Sequence, residues 1–531
     1  MTATASPFTG LAPLSRFTIR RDRVRIVVWI AAIVLLVVVT VASVKGLYPN
    51  QEELDKAARA SEDNVAAIIF NGPPQALDTV GGQVAFQTGT WGLILIGMMS
   101  IFMLGRLTRG EEEAGRNELL RSLPIGAHSL PGAALLTVGA MNVVTGALVT
   151  IVLLALSLPA TGSVVFGLSF TMFGLLLAAV TLVAAQITEN TRVVYGLGGV
   201  VLGASFVLRA IGDIGDGTVS WLSPIGWAQK TRPYAGENWW PFLLIAVATG
   251  ALAWVAGVLS RHRDLGSGLI APRTGRARAA PSLGTPLGLA TRVQRGSLLG
   301  WSAGLLFLAV AYGSITDSID QFVEDNDALN DIIAAQGNGT LVEQYLAMSF
   351  RILALIAAGF AIQSALRVRS EETAMHAEPV LATPVSRNRF AGAHLAIAFG
   401  GTLVVLLLVG LSFGIADAAV TGDADAIWTS IVGACVYAPA VWTMIGLVVA
   451  AIGLAPRLSA WPWGVLGICF VIGMFGQLLD LPTWVEDLSP FQHVPQYPAN
   501  ELDIVPLVVL VAIAAGLTAV GLAGLRRRDI G

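Results

Sequence analysis

The chain has 531 residues, of which 55% are hydrophobic and only 13% are charged, and its mean hydropathy is +0.71. Soluble domains carry about 25% charged residues, so this composition excludes an ordinary soluble protein. The two cysteines, Cys435 and Cys469, lie inside apolar runs, which excludes a disulfide framework, a cysteine-ligated zinc site and an iron–sulfur cluster. The net charge of −3 conceals an uneven distribution of charge along the chain.

Apolar runs long enough to cross a bilayer recur along the whole chain. A helix needs about 20 apolar residues to span the hydrocarbon core, and long runs without polar alternation favour helices over strands. The sequence therefore predicts an all-α polytopic membrane protein with 12 transmembrane helices, the first of them retained rather than cleaved as a signal peptide. The predicted runs are 26–44, 88–105, 133–157, 163–186, 193–211, 240–259, 298–316, 345–366, 392–415, 427–454, 459–479 and 504–525.

Basic and acidic residues separate onto opposite sides of this arrangement. Twelve helices place both termini on one side, which carries 25 of the 32 Lys and Arg residues, whereas 24 of the 35 acids fall on the other side. Because Lys and Arg mark the cytoplasmic face, we predict cytoplasmic termini and a multi-pass protein of the plasma (inner) membrane. Arg209 and Arg351 lie near the outer ends of their runs, where we expect snorkelling to the interface. The alternatives for these arginines are holding an anionic group of a substrate or pairing with an outer acid such as Asp213.

Short motifs occur twice in the same order, which indicates an internal duplication. Arg-x-Arg-Asp occurs at 261–264 and 526–529, and Leu-Ser-Pro occurs at 222–224 and 488–490. Arg20, Arg23 and Trp29 recur at a constant offset as Arg292, Arg295 and Trp301. Six helices per half predict two parallel repeats, related by an axis along the membrane normal. The predicted organisation is a first half at 1–266, a cytoplasmic linker at 267–285 and a second half at 286–531.

An acidic segment follows the second run of each half; we name residues 109–124 the first acidic segment and 369–384 the second. Thr108 and Glu111 fit a capping box, leucines form one face of a short helix, and a proline ends it. In the second copy Pro379 replaces a leucine, which predicts a distorted or weaker helix. The repeated spacing favours docking of a partner, although a plain interfacial helix is the alternative. The predicted docking residues are Arg109, Glu111, Glu112, Glu118, Leu119, Leu120, Leu123, Pro124, Arg369, Glu371, Glu372, Glu378 and Pro384.

Two other pairs of segments have amphipathic patterns. The basic stretch before the first run of each half is typical of a helix lying in the lipid headgroups, or of a simple topology anchor. Residues 51–69 and 317–336 have helical spacing of apolar residues and predict small outer helices.

Several chemistries are excluded by missing residues. A P-loop needs a lysine after glycine, but Lys45, Lys56 and Lys230 follow no glycine, so the chain cannot hydrolyse ATP alone. No carboxylate lies in the middle of a predicted run, as proton-coupled carriers usually require. The five histidines show no metal-ligand spacing. We therefore predict no catalytic residue, no metal and no cofactor in this chain.

With these segments and motifs, the sequence resembles the permease subunits of ABC-2-type exporters, in the fused twelve-helix actinobacterial form associated with antibiotic, polyketide or multidrug efflux. The resemblance implies that the acidic segments are coupling helices. They would dock onto a separate ATPase subunit, in two copies, which binds ATP and Mg²⁺. It also implies a pathway for hydrophobic or amphipathic small molecules between the halves, lined by the second and fifth helices of each. The corresponding residues are Met98, Met99, Phe102, Met103, Phe206, Phe360, Gln363, Phe470, Met474 and Phe475, for any one of which plain packing is the alternative.

Two other functions stay open at this point. An ion-gradient-driven carrier with duplicated halves would lack the expected membrane carboxylates, although backbone carbonyls alone can bind sodium. A membrane enzyme or assembly scaffold is least favoured, because no catalytic constellation is present.

Overall fold

The computed structural model describes residues 9–62, 65–115, 125–126, 129–262, 267–270, 278–314, 316–317, 339–475 and 482–528. Over these ranges the chain is helical and contains no strand. Eleven helical spans in the described residues are long and apolar enough to cross a membrane, among them Asp425–Leu454, which consists of two consecutive helices. The chain divides into two compact units, Met1–Thr274 and Gly275–Gly531. The boundary lies inside the segment 267–285.

The described residues of the first unit form ten α-helices. They are α1 Leu11–Leu47, α2 Gln51–Glu62, α3 Val65–Asn71, α4 Val80–Gly105, α5 Glu111–Glu113, α6 Ser129–Ala155, α7 Ala160–Ile187, α8 Thr191–Ile214, α9 Pro224–Gln229 and α10 Trp240–Ser260. The unit is built around α7, which packs against α4, α6, α8 and α10. Its leading helix α1 packs on α4 and α6.

The described α-helices of the second unit are α11 Pro286–Gly313, α12 Leu341–Ala365, α13 Arg367–Thr373, α14 Ala377–Leu381, α15 Arg387–Thr421, α16 Asp425–Cys435, α17 Ala438–Leu454, α18 Trp461–Phe475, α19 Thr483–Glu486 and α20 Ile504–Arg527. In this unit α15 packs against α11, α12 and α16, and α17 packs against α20. The contact between α17 and α20 depends on glycine, because a Cβ atom at Gly453 would overlap the carbonyl of Gly521. Small residues of this kind let membrane helices approach closely.

Three predicted elements differ in the structure. The basic stretch before the first run is continuous with it in α1 rather than a separate helix. The run 427–454 is divided after Cys435, because Pro439 cannot donate to the carbonyl four residues earlier and its ring crowds that carbonyl. The run 459–479 contains the 15-residue α18, and residues 476–481 lie outside the described ranges. Of the predicted outer helices, 51–69 forms α2 and α3, whereas residues 318–336 are not described.

Candidate functional site

The first acidic segment continues an existing helix instead of starting a new one. α4 runs through a π-helical turn at Arg106–Gly110 into α5. The Thr108 hydroxyl donates to the carbonyl of Leu104 at 2.7 Å, so the predicted capping box is wrong. The reason is that carbonyls of the preceding turn already satisfy the amides that a cap would serve. The predicted residues Glu118, Leu119, Leu120, Leu123 and Pro124 lie outside the described residues.

Arg109 joins this segment to two other parts of the chain and is only 1% exposed. Its Nε donates to the carbonyl of Ala185 at 2.5 Å, Nη1 to Glu112 Oε2 at 2.7 Å and Nη2 to the carbonyl of Ser267 at 2.9 Å. The rigid fork of guanidinium donors suits three acceptors in different directions. Arg109 therefore ties the segment to the end of α7 and to the chain that follows α10.

Glu111 connects the same segment to the leading helix α1. Arg21 Nη2 lies 3.0 Å from Glu111 Oε1 and 3.0 Å from Asp22 Oδ2. Asp22, which is 1% exposed, also accepts hydrogen bonds from Arg25 at 2.7 Å and from Arg106 at 2.9 Å. Three guanidinium groups thus satisfy one buried carboxylate, which is the condition under which a buried charge is tolerated. The first acidic segment is held to α1 by this ionic cluster.

The second acidic segment contains a matching pair with an additional partner. Arg369 Nη1 donates to Glu372 Oε2 at 2.9 Å, as Arg109 donates to Glu112. Arg528 Nη2 lies 2.6 Å from Glu372 Oε1 and 2.7 Å from Oε2. The Glu372 side chain is 3% exposed, so its carboxylate is enclosed between two guanidinium groups. The segment is thereby joined to the residue that follows α20.

Glu371 finds its partners nearby in the chain, unlike Glu111. Arg367 Nη2 lies 2.6 Å from Glu371 Oε1, and His376 Nδ1 lies 3.2 Å from Oε2. Both partners are within five residues of Glu371 along the chain. Within the described residues, this glutamate therefore forms no ion pair that matches the one between Glu111 and α1.

The turn after α13 projects a short helix, α14, which forms although Pro379 is its third residue. A proline in the first turn of a helix replaces an amide that has no intrahelical acceptor, so it does not prevent helix formation. This helix has only five residues, and its counterpart in the first half lies outside the described residues, so a distorted or weaker second helix stays a prediction. Glu378 and Pro384 are exposed, and Met375 at the turn is 63% exposed with a φ of 61°.

One buried position differs in charge between the two halves. The offset that relates Trp29 to Trp301 places Gln294 at the position of Asp22. Gln294 accepts from Ser364 Oγ at 2.5 Å, and its Nε2 lies 3.1 Å from His394 Nδ1. An ionic cluster in the first half thus corresponds to a hydrogen-bonded network of neutral residue types in the second.

The predicted pathway residues fall into two groups. Met99, Met103, Phe206 and Phe360 are buried in the cores of their own units, where packing accounts for them. Phe102 and Phe470 are 39% and 41% exposed. Gln363 is exposed and accepts from the Trp301 indole N–H at 2.6 Å. Met98 is half-buried, and the side chains of Met474 and Phe475 lie outside the described part.

Arg209 is fully buried, so the predicted snorkelling of this side chain is wrong. Its Nη1 donates to the carbonyl of Ile68 at 3.0 Å and its Nη2 to that of Ile69 at 2.6 Å. The end of α3 offers these carbonyls because the last turn of a helix leaves them without helical partners. Asp213 Oδ2 lies 3.5 Å from Nη1, as the alternative prediction had it.

Sequence reasoning missed the roles of Asp22 and Arg528. Asp22 is an acid within a strongly basic stretch, and that contrast was the available signal. Arg528 belongs to the repeated Arg-x-Arg-Asp motif, which served only as a marker of the duplication. The recurrence of this charged motif after the last helix of each half was itself a signal that its arginines form ion pairs.

Eleven spanning-length apolar helices and the absence of strands from the described ranges define a multi-pass helical membrane protein. Residues 283–526 match the family model described as "Multidrug efflux system permease Rv1217c, C-terminal domain". Over 529 residues the chain is 39% identical to the multidrug efflux system permease protein Rv1217c of Mycobacterium tuberculosis (strain ATCC 25618 / H37Rv), covering 99% of this chain and 96% of the relative. The chain therefore belongs to the family of this multidrug efflux permease.

Proposed function

We propose that this chain is the membrane subunit of an ATP-driven exporter whose ATPase is a separate chain. Two copies of that ATP-binding-cassette subunit, carrying ATP and Mg²⁺, dock on the two acidic segments. The observation that carries the proposal is the recurrence of one ion pair, Arg109–Glu112 at 2.7 Å and Arg369–Glu372 at 2.9 Å, at the end of the second long helix of each half. A symmetric motor needs two equivalent points of attachment.

Within this proposal the four glutamates anchor the segments rather than meet the partner. Glu111, Glu112, Glu371 and Glu372 all bond to arginines of their own unit. Contact with the ATPase therefore falls on the exposed turn beyond them, which in the second half carries Met375. A flexible, apolar methionine at the tip of a projecting turn suits insertion into a groove of a partner.

The transported molecules are proposed to be hydrophobic or amphipathic drug-like compounds, moved out across the plasma membrane by alternating access of the two halves. The relative's name, a multidrug efflux system permease, supports this class. The exposed aromatic rings of Phe102 and Phe470 offer flat apolar surfaces that accept varied ligands. In this arrangement the termini are cytoplasmic and α18 belongs to a twelfth membrane span.

The docking proposal is tested by copurification. Wild-type chain and a tagged ATP-binding-cassette subunit from the same genome are coexpressed, and the ratio of the two subunits is measured after detergent extraction. Met375→Asp, which puts a charge into the contact, is expected to lower ATPase recovery at least tenfold, whereas Met375→Leu retains it. Equal recovery with Met375→Asp and wild type counts against docking at this turn.

A further inference from the structure

We propose that Arg528 is a positioning residue that clamps the base of the second acidic segment and so holds its docking turn in place. The inference rests on the proposed function of that segment, and Arg528 itself makes no contact with the partner. Its guanidinium reaches both oxygens of Glu372, at 2.6 and 2.7 Å. The paired side chains are 16% and 3% exposed, so water and salt screen this pair only weakly.

The backbone of the same residue holds the other end of the segment. Arg387, the first residue of α15, donates from Nη1 to the carbonyl of Arg528 at 2.6 Å. Residues 373–386, which form the projecting turn and α14, lie between Glu372 and Arg387 in the chain. Both ends of the projection are therefore attached to one residue, the first through its side chain and the second through its carbonyl.

Among the described residues of the first half, other groups hold the base of its segment; Arg263, which corresponds to Arg528 in the repeated motif, lies outside the described residues. On the near side Arg109 bonds to the carbonyl of Ser267, in the chain that follows α10. On the far side the amide of Gly126 and the hydroxyl of Ser129 donate to the carbonyl of Thr9, at 2.9 and 2.6 Å. The far end of the first segment is thus bound to the beginning of α1, whereas that of the second is bound to the residue following α20.

Removal of the Arg528 side chain frees only one end of the projection. Arg528→Ala leaves its carbonyl available to Arg387 and leaves Glu372 paired with Arg369. Glu372 loses the partner that contacts both of its oxygens, and a buried carboxylate with fewer donors favours an opened, hydrated segment. Opening is therefore expected to become more frequent in residues 373–383, while the helices on either side are unaffected.

Hydrogen–deuterium exchange of the purified chain in detergent tests the clamp without any ATPase. Arg528→Ala is expected to speed amide exchange in 373–383 on the order of tenfold, as local opening does when a buried partner is lost. Arg527→Ala is the matched control, because Arg527 is the adjacent arginine and is exposed. Arg528→Lys, which keeps one charge, is expected to fall between the two.

A charge exchange separates a specific pair from a general effect on folding. The exchange is made in an Arg369→Gln background, because Arg369 bonds to Glu372 and would otherwise face a second guanidinium group. In that background Glu372→Arg with Arg528→Glu restores the pair with its charges exchanged, and slow exchange is expected to return. Identical exchange in Arg528→Ala and Arg527→Ala overturns the clamp, and so does a double variant no slower than either single variant.

The coupled complex supplies the second readout. With the ATPase bound, Arg528→Ala is expected to weaken the apparent affinity of the two subunits at least fivefold, and Arg527→Ala to leave it unchanged. If the wild-type chain binds no ATPase, the proposed function fails, and the exchange experiment still decides on the clamp. If wild type binds and both variants bind equally, the role of Arg528 in docking fails alone.

Discussion

Arg109→Ala is predicted to destabilise the first unit strongly. The substitution removes one ion pair to Glu112 and two hydrogen bonds to the carbonyls of Ala185 and Ser267. Breaking a buried pair costs about 3–5 kcal/mol, and an unsatisfied buried carbonyl about 1–3 kcal/mol. Water entering the vacated space recovers part of the total, so we expect a net loss of about 4 kcal/mol. At roughly 2–4 °C per kcal/mol, Tm falls by about 10 °C.

The matched control for Arg109→Ala is Arg369→Ala at the equivalent position of the second half. The Arg369 side chain is 24% exposed against 1% for Arg109, and Glu372 keeps Arg528 after the substitution. We expect a loss of about 1 kcal/mol and a Tm shift of about 3 °C. Thermal unfolding of the purified chain in detergent, followed by tryptophan fluorescence, measures both. Equal shifts in the two variants would refute the assignment of the three Arg109 contacts.

Further predictions concern charge, burial and ligand contact. Asp22→Asn leaves three arginines without their shared carboxylate and is expected to cost about 2–4 kcal/mol by thermal unfolding; an unchanged Tm contradicts this. Arg209→Met strands two carbonyls at the end of α3, with an expected loss of about 2–4 kcal/mol, whereas Arg351→Met, at a half-buried residue, shifts Tm little. Phe102→Ala is expected to change the selection of drugs in a transport assay with little loss of stability. Met99→Ala, at a fully buried residue, is expected to leave drug selection unchanged and to lower the free energy of unfolding by about 2–5 kcal/mol.

The helical membrane fold was predictable from the sequence because the dominant signal, long apolar runs, is local. The eleven spanning-length helices lie at predicted runs. The cap predicted at Thr108 was wrong because it depended on context outside the local pattern. Thr108 has the spacing of a cap, but whether it begins a helix depends on the turn before it, which is already helical.

The long-range ion pairs of the site were not predictable, because they join positions far apart in the chain. Arg21 meets Glu111 across 90 residues, and Arg528 meets Glu372 across 156. The sequence pattern placed these acids at a helix end, where solvent exposure is the usual outcome. The fold instead brings arginines from α1 and from the end of α20 onto them. The snorkelling predicted for Arg209 was wrong for a related reason. Its guanidinium donates to backbone carbonyls, and residue types in the sequence do not reveal such partners.

The source of energy for transport tests the central claim most directly. Inside-out vesicles containing this chain and the coexpressed ATPase are incubated with a lipophilic dye such as ethidium, and uptake of the dye into the vesicles is measured. The measurement is made with and without ATP, a proton ionophore and a sodium ionophore. The account predicts uptake that requires ATP and the ATPase, persists with both ionophores, and is lost in Met375→Asp. Uptake that continues without the ATPase and collapses with an ionophore would contradict it and identify an ion-gradient-driven carrier.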